Sequence, residues 1–271
     1  MDFSLDDKQK ELVSLAKEIA EKEIAPRALE IDKSGVMDPE LLQILKQSGM
    51  TSLAVPKEYG GPGIDLLTVA MITEELAKGC AGVATVCAAN ALASFPIVIA
   101  GTEQQKEDYF GSLNEGGIAC FALTEPGAGS DAGAVSCRAK KTEGGYVLSG
   151  TKCFITNAPI ADVFTLFANV KETGGIRGLT VFLAKKGQQG LSIGKEEDKM
   201  GIRASATSEI ILDDCFISAE NRLGREGMGF RIAMQTLEKS RPVVGAISVG
   251  IAQAALENAI HYAHQRKQFG Q

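Results

Sequence analysis

Tryptophan is absent from the 271 residues, histidine occurs only twice, and aromatic residues make up 6%. Histidine is the commonest metal ligand and general base, and here both copies, His261 and His264, fall near the end of the chain. The six cysteines, at 80, 87, 120, 137, 153 and 215, include no Cys-x-x-Cys pair. Neither a zinc site nor a Cys/His nucleophile can be assembled from these residues, so no metal is expected. Apolar neighbours around the cysteines imply buried, reduced thiols and a cytoplasmic protein. The opening MDFSLDDKQK has no basic n-region, apolar h-region or Arg-rich transit pattern. No uninterrupted apolar run is read as long enough to span a bilayer, so no membrane association is expected.

Glycine is in excess, at 30 residues, while 45% hydrophobic and 23% charged residues are ordinary globular usage. At roughly 150 residues per domain the length predicts at least two domains. Formal charge is 28 − 34 = −6, which gives no reason to expect nucleic-acid binding. It is unevenly spread. Residues 1–115 carry 10 basic and 19 acidic side chains, 116–221 carry 11 and 12, and 222–271 carry 7 and 3. An acidic front with a basic tail suits a phosphate-bearing ligand met mainly by the end of the chain, and suits solvated surface equally.

The chain reads as α+β, with an N-terminal all-α domain over 1–115, a middle antiparallel β-barrel or sheet domain over 116–225, and the start of a C-terminal helical bundle over 226–271. Leu12, Leu15, Ala16, Ile19 and Ala20 recur at helical spacing between Asp6 and Ala28. Asp38 and Pro39 start a second helix that Gly49 closes. Helical patterns resume over 66–78, 82–100 and 102–113, the last opening near a capping box at Thr102 and Gln105. From Gly116 the period shortens towards two. IACFALT, AVSCRAKKT, YVLSGTK, VFTLFANV, LTVFLAK and SEIILDDCFI read as strands separated by turns such as EGG at 143–145 and TGG at 173–175. Two helical stretches follow, MGFRIAMQTLEKS and, after Pro242, VVGAISVGIAQAALENAIHYAHQRKQF.

Two segments concentrate chemistry. In TEPGAGSD, Thr124–Asp131, Gly127 and Gly129 allow close backbone approach, Pro126 fixes one φ, and the Thr124 and Ser130 hydroxyls can donate to ligand oxygens or nitrogens. Some twenty residues later, GTKCFITNAP places the aromatic face of Phe154 and the hydroxyl of Thr156 on a strand. KMGIRAS at 199–205, GREGMGF at 224–230, LEKSRP at 237–242 and the closing QRKQFG follow. Taken singly, each also fits a plain turn, a core aromatic or a solvated charged face.

In this order and spacing, EELA (74–77), TEPGAGSD, FITN (154–157), KMG (199–201), SRP and QRKQFG resemble the acyl-CoA dehydrogenase family, nearest its short-chain, butyryl-CoA-type bacterial members. The resemblance covers essentially the whole chain. It implies an FAD enzyme that removes two hydrogens from an acyl-CoA thioester. A carboxylate takes the α-proton, hydride leaves the β-carbon for flavin N5, and electron-transfer flavoprotein is the electron acceptor. Carried over by position, Phe121, Leu123, Thr124, Gly129 and Ser130 are the expected flavin strand and loop, with Ser130 also near CoA. Phe154, Ile155 and Thr156 are the expected second flavin wall. Glu238, Lys239, Ser240 and Arg241 are the expected substrate-contacting segment. Arg266, Gln268 and Phe269 are expected to reach the FAD of a neighbouring subunit, in a homo-oligomer that is a tetramer in intact members.

Two departures stand out. Phe154 replaces a frequent Trp, a change that keeps stacking. The base is missing: most members carry the catalytic Glu well after the QFG motif, and the minority position is Ser240 here. Glu238 lies on a different helical face, since successive positions turn about 100°. No catalytic residue is therefore assigned, and the base is expected beyond Gln271, in which case the chain is a C-terminally truncated and inactive member. The alternatives are a non-catalytic acyl-CoA or flavin-binding module, and a relative with oxidase-like or flavin monooxygenase chemistry.

Overall fold

The computed structural model describes residues 4–172 and 174–271. Helix α1 (Asp7–Ile19) begins where Asp6 accepts from the Gln9 amide and Gln9 returns a bond to the Asp6 amide, a reciprocal cap. The chain then stays helical past the expected end. It runs through a π turn (Ala20–Ile24) and a 3₁₀ turn (Ala25–Arg27) into α2 (Ala28–Ser34). Pro26, which has no N–H to offer, sits in the 3₁₀ turn. Helix α3 (Pro39–Gln47) has Pro39 in its first turn and the Asp38 carboxylate accepting from the Glu40 amide, with Gly49 beyond its end at φ +77°.

Helices α4 (Leu66–Gly79), α5 (Ala81–Ala100) and α6 (Glu103–Asn114) follow. Thr102 and Gln105 form the capping box of α6. The expectation that no apolar run reaches bilayer length needs correction. Both α5 and a later helix, α7 (Gly229–Gln265), are long and apolar enough by length and composition. In α5 the apolar stretch serves the protein core: 67% of it is buried, and its Ala, Gly and Ser residues let neighbours close in on every side.

The sheet is built from β1 (Ala119–Ala122), β2 (Arg138–Thr142), β3 (Gly145–Thr156), β4 (Val163–Asn169), β5 (Leu179–Lys185), β6 (Leu191–Glu196), β7 (Thr207–Ser218) and β8 (Arg222–Leu223). The order is β6-β7-β3-β2-β4-β5-β8, with β1 on β4. Most ladders are antiparallel as expected, but β1 runs parallel to β4, pairing Ala119 with Val163 and Ala122 with Leu166. Strands β6 and β8 are additions to the expected set, and β3 extends through FIT. Of the TGG turn, Thr173 lies outside the described residues. Two cores result. One joins the sheet to α6 through Phe110, Tyr146, Phe164, Phe167 and Phe182, and the other lies among α1, α3, α4 and α7.

Asn90 and Asn157 fasten the helices to the sheet. Buried Asn90 accepts from the Ala119 amide at 2.6 Å and donates to the carbonyls of Thr51 (2.8 Å) and Gly117 (3.3 Å). Asn157 donates to Val86 and Ala119. Together they hold the start of β1 against α5, so the loop leaving β1 departs from a fixed point.

Helix α7 is one continuous element with Pro242 inside it, where two segments were expected. Its first half packs on α4 and α5, through Ile232, Thr236, Val243, Ile247 and Gly250. Gly250 is required there, because a Cβ would lie 2.4 Å from the Glu74 carbonyl oxygen. Beyond Ile251 the helix is largely exposed.

Candidate functional site

Strand β1 delivers the 124–131 loop, and β3 passes beside it carrying Phe154 and Thr156. The Cys153 amide donates to the Thr124 carbonyl at 3.0 Å, so the two segments lie backbone to backbone. Glu125 and Ala128 exchange two main-chain bonds of 3.0 Å, which close the loop into a tight turn. Phe121 packs its ring on Phe167, with centroids 4.9 Å apart.

Underneath the loop lies an ion pair that motif reading passed over. Lys152 Nζ meets Glu125 Oε1 at 2.7 Å, and their side chains are 0% and 3% exposed. The same ammonium donates to the Leu123 carbonyl at 3.1 Å. Glu125 also accepts from the Ser136 amide and hydroxyl, both at 2.7 Å, and from the Cys137 amide at 3.0 Å. Burial pushes the Glu125 carboxyl up, but the Lys152 ammonium and the Ser136 hydrogen bonds outweigh it and hold it below the usual carboxylate range. A sequence signal existed: Lys152 is the only charged residue in GTKCFITNAP, and a charge in such a run needs a partner if it is buried.

Above the pair the surface is open and carries free polar groups. Thr124 and Thr156 are half-buried, and among the described residues neither hydroxyl has a hydrogen-bond partner. Phe154 is 63% exposed and sits at φ +57°, a conformation an aromatic residue rarely adopts. Strain of this kind persists where surroundings over-determine it, and it concentrates at ligand sites. Gly127 and Gly129 are not held to glycine by positive φ or by packing, since a Cβ on either would meet nothing within 4 Å. These residues fit a flat heteroaromatic ring: an aromatic face, two unengaged hydroxyls and a loop open to close approach. Leu123 and Ile155 are only 7% and 2% exposed. They can offer a ligand main-chain atoms alone.

The remaining motifs divide between structure and surface. In KMG, Lys199 donates to the Ser205 carbonyl and hydroxyl and to Thr207, a bracing role, and burial lowers its ammonium. Glu238, Lys239 and Arg241 are exposed on α7, whereas Ser240 turns inward and donates to the Leu237 carbonyl. The set expected to contact substrate is thus split between two sides of the helix. Arg266, Gln268 and Phe269 lie past the end of a helix about 55 Å long by its 37 residues. Phe269 is 99% exposed, and Gln268 bonds only to its neighbours in sequence. None of the three joins the 124–156 site of its own chain.

Comparison with known proteins matches residues 6–117 to the family described as acyl-CoA dehydrogenase, N-terminal domain. Residues 120–215 match the middle domain and 227–271 the C-terminal domain. The curated acryloyl-CoA reductase (NADH) of Anaerotignum propionicum is 43% identical over 100% of this chain and 69% of its own length. The solved butyryl-CoA dehydrogenase of Megasphaera elsdenii superposes with a TM-score of 0.96 at 43% identity, covering 100% of this chain and 72% of that one. A second structure has a TM-score of 0.96 at 41% identity with the same coverage. It was reported in a study of the electron transferring flavoprotein of Acidaminococcus fermentans and flavin-based electron bifurcation.

Proposed function

Because the chain belongs to the acyl-CoA dehydrogenase family, a family of FAD-dependent oxidoreductases, we propose that it serves α,β-dehydrogenation of a short-chain acyl-CoA. The 124–131 loop and the Phe154–Thr156 segment would hold the FAD ring. The observation that carries this reading is the pair of unengaged hydroxyls, Thr124 and Thr156, beside an exposed Phe154 ring.

When bound, the flavin supplies the acceptor for the hydride that leaves the substrate β-carbon. Thr124 and Thr156 would donate to ring heteroatoms and so stabilise negative charge on the ring. Phe154 would cover one face of the ring and keep water from it. Ser130, exposed at the end of the loop, and Glu238, Lys239 and Arg241 on α7 contact the CoA. Proton abstraction is assigned to none of the described carboxylates at the site. Glu125 already receives four donors, one of them the Lys152 ammonium, which leaves no lone pair for an α-proton.

Arg266, Gln268 and Phe269 serve the FAD of a second copy in a homotetramer, a role supported by their position beyond α7. Electron-transfer flavoprotein receives the electrons, and the cytoplasm is the compartment. Since one relative is named for reduction of acryloyl-CoA, the direction of the reaction is to be assayed both ways.

The test is a fluorescence titration of the full chain with FAD, followed by butyryl-CoA with the visible flavin spectrum as readout. Thr124→Ala and Thr156→Ala should each weaken FAD binding about tenfold, the worth of one hydrogen bond. A chain that takes up no FAD, or variants with unchanged affinity, would sink the proposal.

A further inference from the structure

An ion pair withdrawn this completely from water calls for an account of what it does. Taking both charges out of solvent consumes most of their mutual attraction, and well-packed apolar replacements of buried pairs are often as stable or more so. Net stability is therefore a poor explanation for Glu125 and Lys152. Their bonds suggest another.

The bonds they make tie the chain on both sides of Thr124 to other segments. Lys152 holds the carbonyl of Leu123, the residue before it. Glu125, the residue after it, is tied to the amides of Ser136 and Cys137 at the approach to β2. The Thr124 carbonyl itself is taken by the Cys153 amide, between Lys152 and Phe154. The backbone of residues 123–125 is thus pinned to two other segments, one of which presents the Phe154 ring two residues on. Of Thr124 the carbonyl is held, while its amide and its hydroxyl have no hydrogen-bond partner among the described residues.

We propose that Glu125 and Lys152 are positioning residues, whose ion pair fixes the Thr124 hydroxyl relative to the Phe154 ring and so sets how tightly and in what electronic environment the flavin is held. The inference rests on the flavin reading given above. It assigns the pair no contact with substrate or flavin.

The test uses the full chain and the double variant Glu125→Gln/Lys152→Met, which removes both charges together and leaves neither buried alone. Three readouts are compared with the parent: thermal melting, FAD affinity by fluorescence, and the visible absorption envelope of the bound flavin. Amide hydrogen exchange without FAD adds a fourth. The expected result is a melting temperature near that of the parent, with FAD binding weakened about tenfold or more and a shifted flavin envelope. Exchange should quicken at Ser136, Cys137 and Cys153 while the paired amides of β4 and β5 are unchanged.

A double variant with parental affinity, spectrum and exchange overturns this inference alone. A double variant that loses its fold also overturns it, since the pair would then serve stability. A parent chain that binds no FAD overturns the flavin reading, and this inference with it.

Discussion

Two glycines on α7 should answer the same substitution with opposite signs. Gly250 lies where α7 crosses α4, and a Cβ there would sit 2.4 Å from the Glu74 carbonyl oxygen and 2.8 Å from the Ala77 Cβ. Ordinary contact begins at 3.4 Å, so the helices must part by about 3.4 − 2.4 = 1.0 Å, or bend, to admit a methyl group. Overpacking of this kind costs about 1–3 kcal/mol. Gly245 is exposed in the same helix, five residues earlier, and a Cβ there meets nothing within 4 Å. Alanine at either position recovers about 1 kcal/mol of helix propensity. Because that gain is common to both, the difference between the variants isolates the clash. Gly245→Ala should therefore raise stability by up to about 1 kcal/mol, and Gly250→Ala should fall about 2 kcal/mol below it. In a chain of this size that gap separates their melting temperatures by about 4–8 °C. Urea midpoints and thermal melts, run side by side, provide the measurement. Equal midpoints, or a Gly250→Ala chain more stable than Gly245→Ala, would refute the close approach of α7 to α4.

Two further outcomes follow from burial. Burial pushes the Cys87 thiol up to about 12 and those of Cys137 and Cys215 up to about 11, so native protein at pH 8 should label promptly with a thiol reagent only at half-buried Cys80. The unfolded thiols ionise from about pH 9 while the folded ones stay protonated, so stability is full below that pH and declines above it. Rapid labelling of Cys87, or melting temperatures flat between pH 8 and pH 10.5, would contradict this. Asn90→Ala strands the Ala119 amide and the Thr51 and Gly117 carbonyls, so it should lower stability by about 3 kcal/mol or more in urea unfolding. A loss below about 1 kcal/mol would show that those groups find other partners.

The sequence signals that succeeded were local ones. Asp38 with Pro39, and Thr102 with Gln105, announce helix starts through side chains that bond their own first turn, and the structure contains those bonds. Strand β4 is buried at all seven positions, which its apolar run conveys. Features depending on distant partners were not legible. Strand β6 is mostly exposed and polar, so no alternation betrays it; pairing with β7 makes it a strand. Pro242 looked like a break because local rules cannot weigh the packing that α4 and α5 offer the helix on both sides of it. At the site, Thr124, Phe154 and Thr156 were readable as chemistry-bearing side chains. The Glu125–Lys152 pair beneath them was not, since a lone Lys and a lone Glu 27 residues apart read as surface charges until the fold buries them together.

The parallel ladder between β1 and β4 also bears on how the protein assembles. It joins Ala119 to Val163, residues 163 − 119 = 44 apart, whereas the β2–β3 hairpin closes within a few residues. Long closures are entropically slower to complete than short ones. On refolding, the hairpin can form early, and β1 can dock only after the intervening chain has been drawn in. The loop that β1 carries therefore reaches its final shape later than that hairpin, and a ligand recognising that shape would report a later stage of folding than hairpin formation does.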